Sequence, residues 1–250
     1  MSNLELSLVL PIHNQADITE SIIDSIEKKL KKTNITYEIL MVENGSSDNT
    51  LSVLKNLEKR NPRLKTFVAP MGYGSAVLNG LKKTKGIWVG YMPSDGQIDL
   101  AVLPPLINEL KKNHYDVVKI FRTTRESFVR NMRSKLFNML ARTVYGKLPV
   151  KDINGSPRFF KRKYLSILDL QYTDSFIDLE FTLKARYLHL KIKEYPMQTL
   201  PRAGGKSTVH LGTVFEFIGN ILAYKLGSKF DSWKSRRFFQ SIVKDKKSDF

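Results

Sequence analysis

Leu6-Ser-Leu-Val-Leu10-Pro11-Ile-His-Asn14, Glu38-Ile-Leu-Met-Val42-Glu43-Asn-Gly-Ser-Ser-Asp-Asn-Thr50 and Ile87-Trp-Val-Gly-Tyr-Met92-Pro93-Ser-Asp-Gly96 decide the fold. Each is a short apolar run that stops in a polar turn, the pattern of a buried strand feeding a loop. Between them lie helical periodicities. Ile18, Ile22, Ile23, Ile26 and Leu30 recur at helical spacing behind Asp17, read as an N-cap, and further helices are expected over Leu51–Lys59, Ser75–Thr84 and Leu100–Lys112. Two more strands, Leu64–Ala69 and Asp116–Phe121, complete the alternation. Strands alternating with helices mean βαβ units, so the class is α/β with a mostly parallel sheet flanked by helices. In such sheets ligands bind beyond the carboxyl ends of the strands.

After Phe121 the rhythm changes. A helix is expected from about Val129, a mixed region spans Asp152–Pro196, and two amphipathic helices fall between Thr213 and Val243. The chain therefore reads as a domain over 1–210 and a basic amphipathic extension over 211–250.

The 250 residues carry 41 Lys+Arg against 24 Asp+Glu, a formal net charge of +17, and no cysteine. The absence of cysteine excludes disulfides, thiolate metal sites and a cysteine nucleophile, and fits a cytoplasmic setting. The amino-terminal residues lack the basic region of a secretory signal. Leu211–Leu226 is interrupted by Glu216, Asn220 and Lys225, too polar and too short to span a bilayer. The positive charge calls for a polyanionic partner: nucleic acid, an anionic membrane face or a nucleotide diphosphate. Nucleic acid is the poorest match, because no helix-turn-helix, zinc module or aromatic-interleaved basic sheet is visible.

Asn, Ser, Asp and Gly at any one strand end are ordinary turn and cap residues. Three such turns on one sheet edge instead suggest a nucleotide and metal pocket. Of the histidines, His13 lies in the first turn, while His114, His189 and His210 read as surface or loop positions. Trp88 reads as core and Trp233 as an interfacial anchor.

The ordered set Pro11-Ile-His-Asn, Glu43-Asn-Gly-Ser-Ser-Asp-Asn-Thr, Gly72-Tyr-Gly74-Ser-Ala76, Asp95, Arg130-Asn131, Asp152–Arg158 and Arg202-Ala-Gly-Gly-Lys206-Ser resembles the inverting family 2 glycosyltransferases. Its nearest branch is the dolichol-phosphate mannose synthases and related polyprenyl-phosphate sugar transferases. The resemblance implies a GT-A, Rossmann-like nucleotide-diphospho-sugar transferase fold. It also implies a donor site bordered by Pro11, His13, Asn14, Glu43, Asn44, Gly72, Gly74 and Ser94, the glycines letting backbone approach the nucleoside. Asp95 matches the last carboxylate of the family's Asp-x-Asp metal signature, for Mg²⁺ or Mn²⁺, but Pro93 stands at the first. Arg202 and Lys206 then carry more of the diphosphate charge. Asp152 falls at the acceptor-site Asp, and Arg130, Arg133 and Arg158 are candidates for a phosphate monoester. Glu180 is preferred over Asp178 at the base-like position, since residues two apart on a helix face different ways. The implied reaction is sugar transfer from a nucleotide-diphosphate sugar to a polyprenyl phosphate by an enzyme peripheral to an anionic membrane. Two alternatives stay open: a sugar-hydroxyl acceptor, and a degenerate transferase fold that serves as a binding or scaffold protein.

Overall fold

The computed structural model describes residues 4–124, 128–201 and 211–235. In chain order the elements are β1 (Leu6–Ile12), α1 (Thr19–Lys31), β2 (Tyr37–Glu43), α2 (Thr50–Arg60), β3 (Leu64–Val68), α3 (Tyr73–Leu81), β4 (Trp88–Tyr91), α4 (Leu103–Lys112), β5 (Val117–Thr124), α5 (Phe128–Tyr145), β6 (Arg158–Lys161), α6 (Leu165–Leu168), α7 (Ile177–Tyr187), β7 (Ile192–Gln198), α8 (Leu211–Leu226) and α9 (Ser228–Ser235). Among the described residues the strands form one seven-stranded sheet in the order β3-β2-β1-β4-β6-β5-β7. Only β6 runs antiparallel to its neighbours.

β1 is buried along its whole length, as a parallel strand covered on both faces must be. Its even-numbered residues Leu6, Leu8, Leu10 and Ile12 pack with Ile23, Ile26 and Leu30 of α1, Leu54 and Leu57 of α2, and Leu103, Leu106 and Leu110 of α4. Val9 points to the other face, with Ala76 and Val77 of α3 and Ile177, Phe181 and Ala185 of α7. A third cluster joins Ala141 of α5, Leu179 and Leu183 of α7, and Ile221 and Tyr224 of α8.

β1 continues through Pro11, beyond its expected end. Its ladder with β4 stops at Val9↔Tyr91, while pairing to β2 runs on to Ile12↔Glu43. The Val9 carbonyl accepts from Met92 N–H and the Ile12 carbonyl from Asn44 N–H, so residue 11 faces β4 where that ladder has ended. Its missing N–H therefore costs the sheet nothing.

Asp17 does not cap α1. The helix starts at Thr19 after an Ile18 N-cap without a side-chain bond, and the Gln15 carbonyl receives both the N–H and the hydroxyl of Thr19. Trp88 is buried as expected. Trp233 is also buried: its indole N–H donates to the Ile167 carbonyl at 2.9 Å, and its ring stacks on Phe230. The reading of Trp233 as an interfacial anchor is thus corrected. An amphipathic pattern shows that a face is apolar, and here that face lies on the protein body.

Candidate functional site

The turns after β1 and β2 are stitched together. Asn14 takes a left-handed conformation (φ 50°), which asparagine tolerates because its short amide can bond locally. Its N–H donates to Ser46 Oγ at 3.0 Å, and its Oδ1 accepts from Ser47 N–H at 2.8 Å. Next along the chain, Gln15 N–H reaches Thr50 Oγ1 and Ala16 N–H reaches Asp48 Oδ2. His13 Nδ1 lies 3.2 Å from the Asn44 carbonyl. Burial pushes the Asp48 carboxyl up, but bonds from the Thr50 hydroxyl and the N–H groups of Ala16 and Thr50 outweigh it and hold the group below its usual range.

Within this platform, Glu43 is buried and its carboxylate accepts from Ser46 N–H. Asn44 is buried too, and its Oδ1 has no hydrogen-bond partner among the described residues. An orphaned buried acceptor is costly unless a donor arrives from elsewhere. Pro11 and Ser94 join β1 to the end of β4. The Ser94 hydroxyl lies 2.8 Å from the Pro11 carbonyl and 2.6 Å from Gln15 Oε1, so it braces two strand ends. One residue on, Asp95 is buried and its Oδ1 accepts from Gln97 N–H. Tyr73 at the start of α3 lies within electrostatic reach of Asp178, Arg158, Arg122 and Asp95, and burial above all raises its phenol well above the ordinary value.

Gly72 and Gly74 have another purpose than the one expected. A Cβ on Gly72 would come 2.7 Å from the Thr173 carbonyl, and one on Gly74 would collide with the carbonyls of Tyr172 and Asp174. Ser75 N–H also donates to the Thr173 carbonyl at 2.8 Å. These glycines admit the segment before α7, so the close approach is chain against chain.

Behind the platform, β4, β5, β6 and α7 enclose a nest of charge. Arg158 has no exposed surface. It donates to Tyr91 Oη at 2.9 Å and to the Ile153 carbonyl at 2.5 Å, and lies 3.3 Å from Asp178 Oδ1. The Tyr91 hydroxyl donates to that same carboxylate oxygen at 2.8 Å. The expectation that Arg158 holds a substrate phosphate is corrected, because its guanidinium is sealed beneath Tyr91 and Phe181 and committed to Asp178. Asp152 is held by the Arg122 fork, Nε to Oδ2 at 2.6 Å and Nη2 to Oδ1 at 2.9 Å. Lys119 donates to the Asp152 carbonyl and sits 3.8 Å from Glu194. Burial, reinforced by the neighbouring Arg158, lowers its ammonium to about 7.

The preference for Glu180 over Asp178 is likewise corrected. Glu180 is buried, pairs with Lys184 at 2.7 Å and accepts the N–H groups of Gln171 and Tyr172. It therefore braces the segment that rests on Gly72 and Gly74, while Asp178 is the carboxylate turned toward β4. Arg202 and Lys206 lie outside the described residues, as do the side chains of Arg130 and Arg133. His114 and His189 are exposed.

Lys119 and Tyr91 escaped the sequence reading, although Val117-Val-Lys-Ile-Phe121 held a signal. A lysine inside an apolar strand of a parallel sheet has no route to water and must find internal partners.

Among the described residues no group of three His, Asp or Glu side chains surrounds a metal position. A divalent ion such as Mg²⁺ is commonly held by one or two carboxylates together with substrate phosphates and water. Asp95 fits that mode.

The sequence model described as "Glycosyl transferase family 2" matches residues 7–168. Over 226 residues the chain is 26% identical to a dolichol-phosphate mannosyltransferase of Pyrococcus furiosus, covering 87% of this chain and 63% of the relative. Over 173 residues it is 31% identical to an uncharacterised glycosyltransferase of Synechocystis, covering 66% of this chain and 52% of that one. The chain thus spans about half to two thirds of the length of the curated relatives it matches. Among solved structures, glucosyl-3-phosphoglycerate synthase of Mycobacterium tuberculosis in complex with Mn²⁺, UDP-glucose and phosphoglyceric acid superposes with a TM-score of 0.68. That match is at 19% identity, covers 88% of this chain and 79% of the synthase, and bears on the fold alone.

Proposed function

The chain belongs to glycosyl transferase family 2, and we propose that it moves a sugar from a nucleotide-diphosphate donor to a polyprenyl phosphate. The carrying observation is the state of the acceptor-side carboxylates. Asp152 is tied to Arg122, Asp178 to Arg158 and Glu180 to Lys184. A sugar hydroxyl needs a base to remove its proton, whereas a lipid phosphate arrives ionised and needs only positioning. The name of the Pyrococcus relative points the same way.

In this reading the donor's base rests on the platform of Pro11, His13, Asn14, Glu43 and Asn44, where the Asn44 Oδ1 accepts the donor bond it lacks. Asp95 is the residue that would hold a divalent ion against the diphosphate, and the ion would supply neutralisation of the leaving group's charge. Arg202 and Lys206 serve the same end. The acceptor's phosphate oxygen bonds to the anomeric carbon as the bond to the diphosphate breaks, releasing the nucleoside diphosphate. Asp152, oriented by Arg122, shapes the acceptor side.

Incubation of nucleotide sugars with a short-chain prenyl phosphate or a saccharide that offers free hydroxyls, followed by product chromatography, tests this. Transfer to the phosphate alone is expected; transfer to the saccharide alone abandons the reading. Pro93 in place of a carboxylate keeps a second reading in play, a binding protein without turnover. That reading predicts stabilisation by a nucleotide sugar, about 2.7 kcal/mol at a hundredfold excess over Kd, with no product from either acceptor.

A further inference from the structure

Between α5 and β6 the chain runs through residues 146–157 without helix or strand, yet Val150, Asp152 and Ile153 are buried. Buried backbone without a ladder must find its hydrogen bonds elsewhere, and here side chains supply them. Arg142 of α5 donates to the Val150 carbonyl at 2.6 Å and to the Lys151 carbonyl at 3.1 Å, and Asn138 accepts the Ile153 N–H at 3.1 Å. Two strand residues hold the other side of the turn. Glu194 of β7 accepts the Lys151 N–H at 2.7 Å and the Asp152 N–H at 3.5 Å. Lys119 of β5 donates to the Asp152 carbonyl and reaches the Ile153 carbonyl at 3.4 Å. Lys119 and Glu194 are direct partners in the register of β5 and β7, which brings their charges to 3.8 Å. As a stabiliser the pair is a poor choice, since a methionine of similar length would fill the strand without taking an ammonium from water. What the ions add is direction, which apolar packing lacks.

We propose that Lys119 and Glu194 are positioning residues for the acceptor, a clamp on the backbone of residues 151–153 that sets the Asp152 carboxylate in the Arg122 fork. Strand β5 grips Asp152 at both ends, with Lys119 on its carbonyl and Arg122 on its carboxylate, and Glu194 closes on its N–H from the neighbouring strand. Lys119 is 1% exposed, so it acts through the turn and not on a substrate. Without the clamp the turn stays fastened to α5 through Arg142 and Asn138. The fold therefore survives, and what shifts is the placement of Asp152. The proposal rests on the reading of Asp152 as an acceptor-side residue.

Hydrogen exchange and acceptor kinetics on the full chain test this. In Lys119→Met and in Glu194→Ala the amides of residues 151–153 should exchange about tenfold faster, the scale of one lost charge-assisted bond, while those of β1 keep their wild-type rates. KM for a short-chain prenyl phosphate should rise by a similar factor, with nucleotide-sugar affinity by calorimetry unchanged. Glu194→Gln, which keeps an amide oxygen for the Lys151 N–H, should bring that KM most of the way back. If either single variant fails to fold, Lys119→Met combined with Glu194→Leu, which removes both charges together, takes its place. Unchanged exchange at residues 151–153 overturns the clamp. Faster exchange with a wild-type KM overturns the positioning role, as does a matching loss of donor affinity, or a Glu194→Gln variant as impaired as Glu194→Ala. The acceptor reading fails separately. If wild type transfers only to a saccharide, that reading falls and the same KM comparison is made with the saccharide; if it transfers to neither, exchange at residues 151–153 decides the clamp.

Discussion

In the turns after β1 and β2, backbone N–H groups of Asn14, Gln15 and Ala16 go to side chains of Ser46, Thr50 and Asp48. Among β4, β5, β6 and α7 the partners are charges: Arg158 with Asp178, Arg122 with Asp152, and, within α7, Lys184 with Glu180. The first region is partly open to water, and each bond there contributes on the order of 1 kcal/mol. In the second, Arg158, Asp178, Lys184 and Glu180 are shut away and each depends on its partner, while Arg122 keeps some contact with water. On the proposed reading the first region, with its orphaned Asn44 Oδ1, receives the donor, and the second holds its shape.

The sharpest way to break this contrast is to orphan a buried charge. Arg158→Ala should destabilise the fold by about 3–5 kcal/mol, because it leaves Asp178 uncompensated. Urea unfolding measures it, and the combination with Asp178→Leu should cost less than the two single changes added. A loss below about 1 kcal/mol would show that water reaches the nest.

On the donor side Asp95→Asn should do the reverse. Turnover should fall by about 10²-fold, the scale of losing one transition-state charge contact, at an unchanged unfolding midpoint. Unaltered metal-dependent nucleotide affinity by calorimetry would remove Asp95 from the site.

Glu180→Gln should cost about 1–3 kcal/mol, since Lys184 loses its charge partner in a buried place. Activity on a prenyl phosphate should stay within a few-fold of wild type. A rate near zero in a stably folded variant would instead make Glu180 a proton acceptor.

Lys119 gives the nest a pH signature. Its folded value, about 7, lies below the ordinary 10.5, so between those values the unfolded chain binds the extra proton. Stability should therefore rise from pH 7 to 9, by less than about 1.4 kcal/mol per pH unit, and be lost as pH falls through 7. Lys119→Met should flatten that rise in unfolding curves taken across the range.

The smallest effect belongs to Asp48→Asn, about 1 kcal/mol, the scale of a weakened helix-start bond. Asp48 titrates below its ordinary value in the fold, so its contribution is present above the unfolded carboxylate pKa and disappears as pH falls through the folded one. An unchanged acid limb of the stability curve in the variant would count against that bond.

Several features of the architecture were legible because their signals are local. The apolar runs of β1 to β5 and the periodicity of α1 to α4 mark buried faces, and Asn14 and Asp48 carry turn chemistry in their own side chains. β6 was not legible: Arg-Phe-Phe-Lys is four residues long, and its antiparallel place between β4 and β5 comes from pairing with Tyr91 and Lys119. β7 was obscured because, among the described residues, it is an edge strand paired with β5 alone, and it carries Pro196. Gly72 and Gly74 announced a close approach, but only the fold shows that residues 172–174 make it.

By itself the sequence determined the α/β class and the sheet edge on which the turns gather, since strand alternation and turn preference act over a few residues. Tertiary structure decided which charges face a substrate and which face one another. Arg158 and Asp178 are twenty residues apart, and Arg122 and Asp152 thirty. Whether such a group meets water or an opposite charge depends on every element packed around it, and no local pattern encodes that.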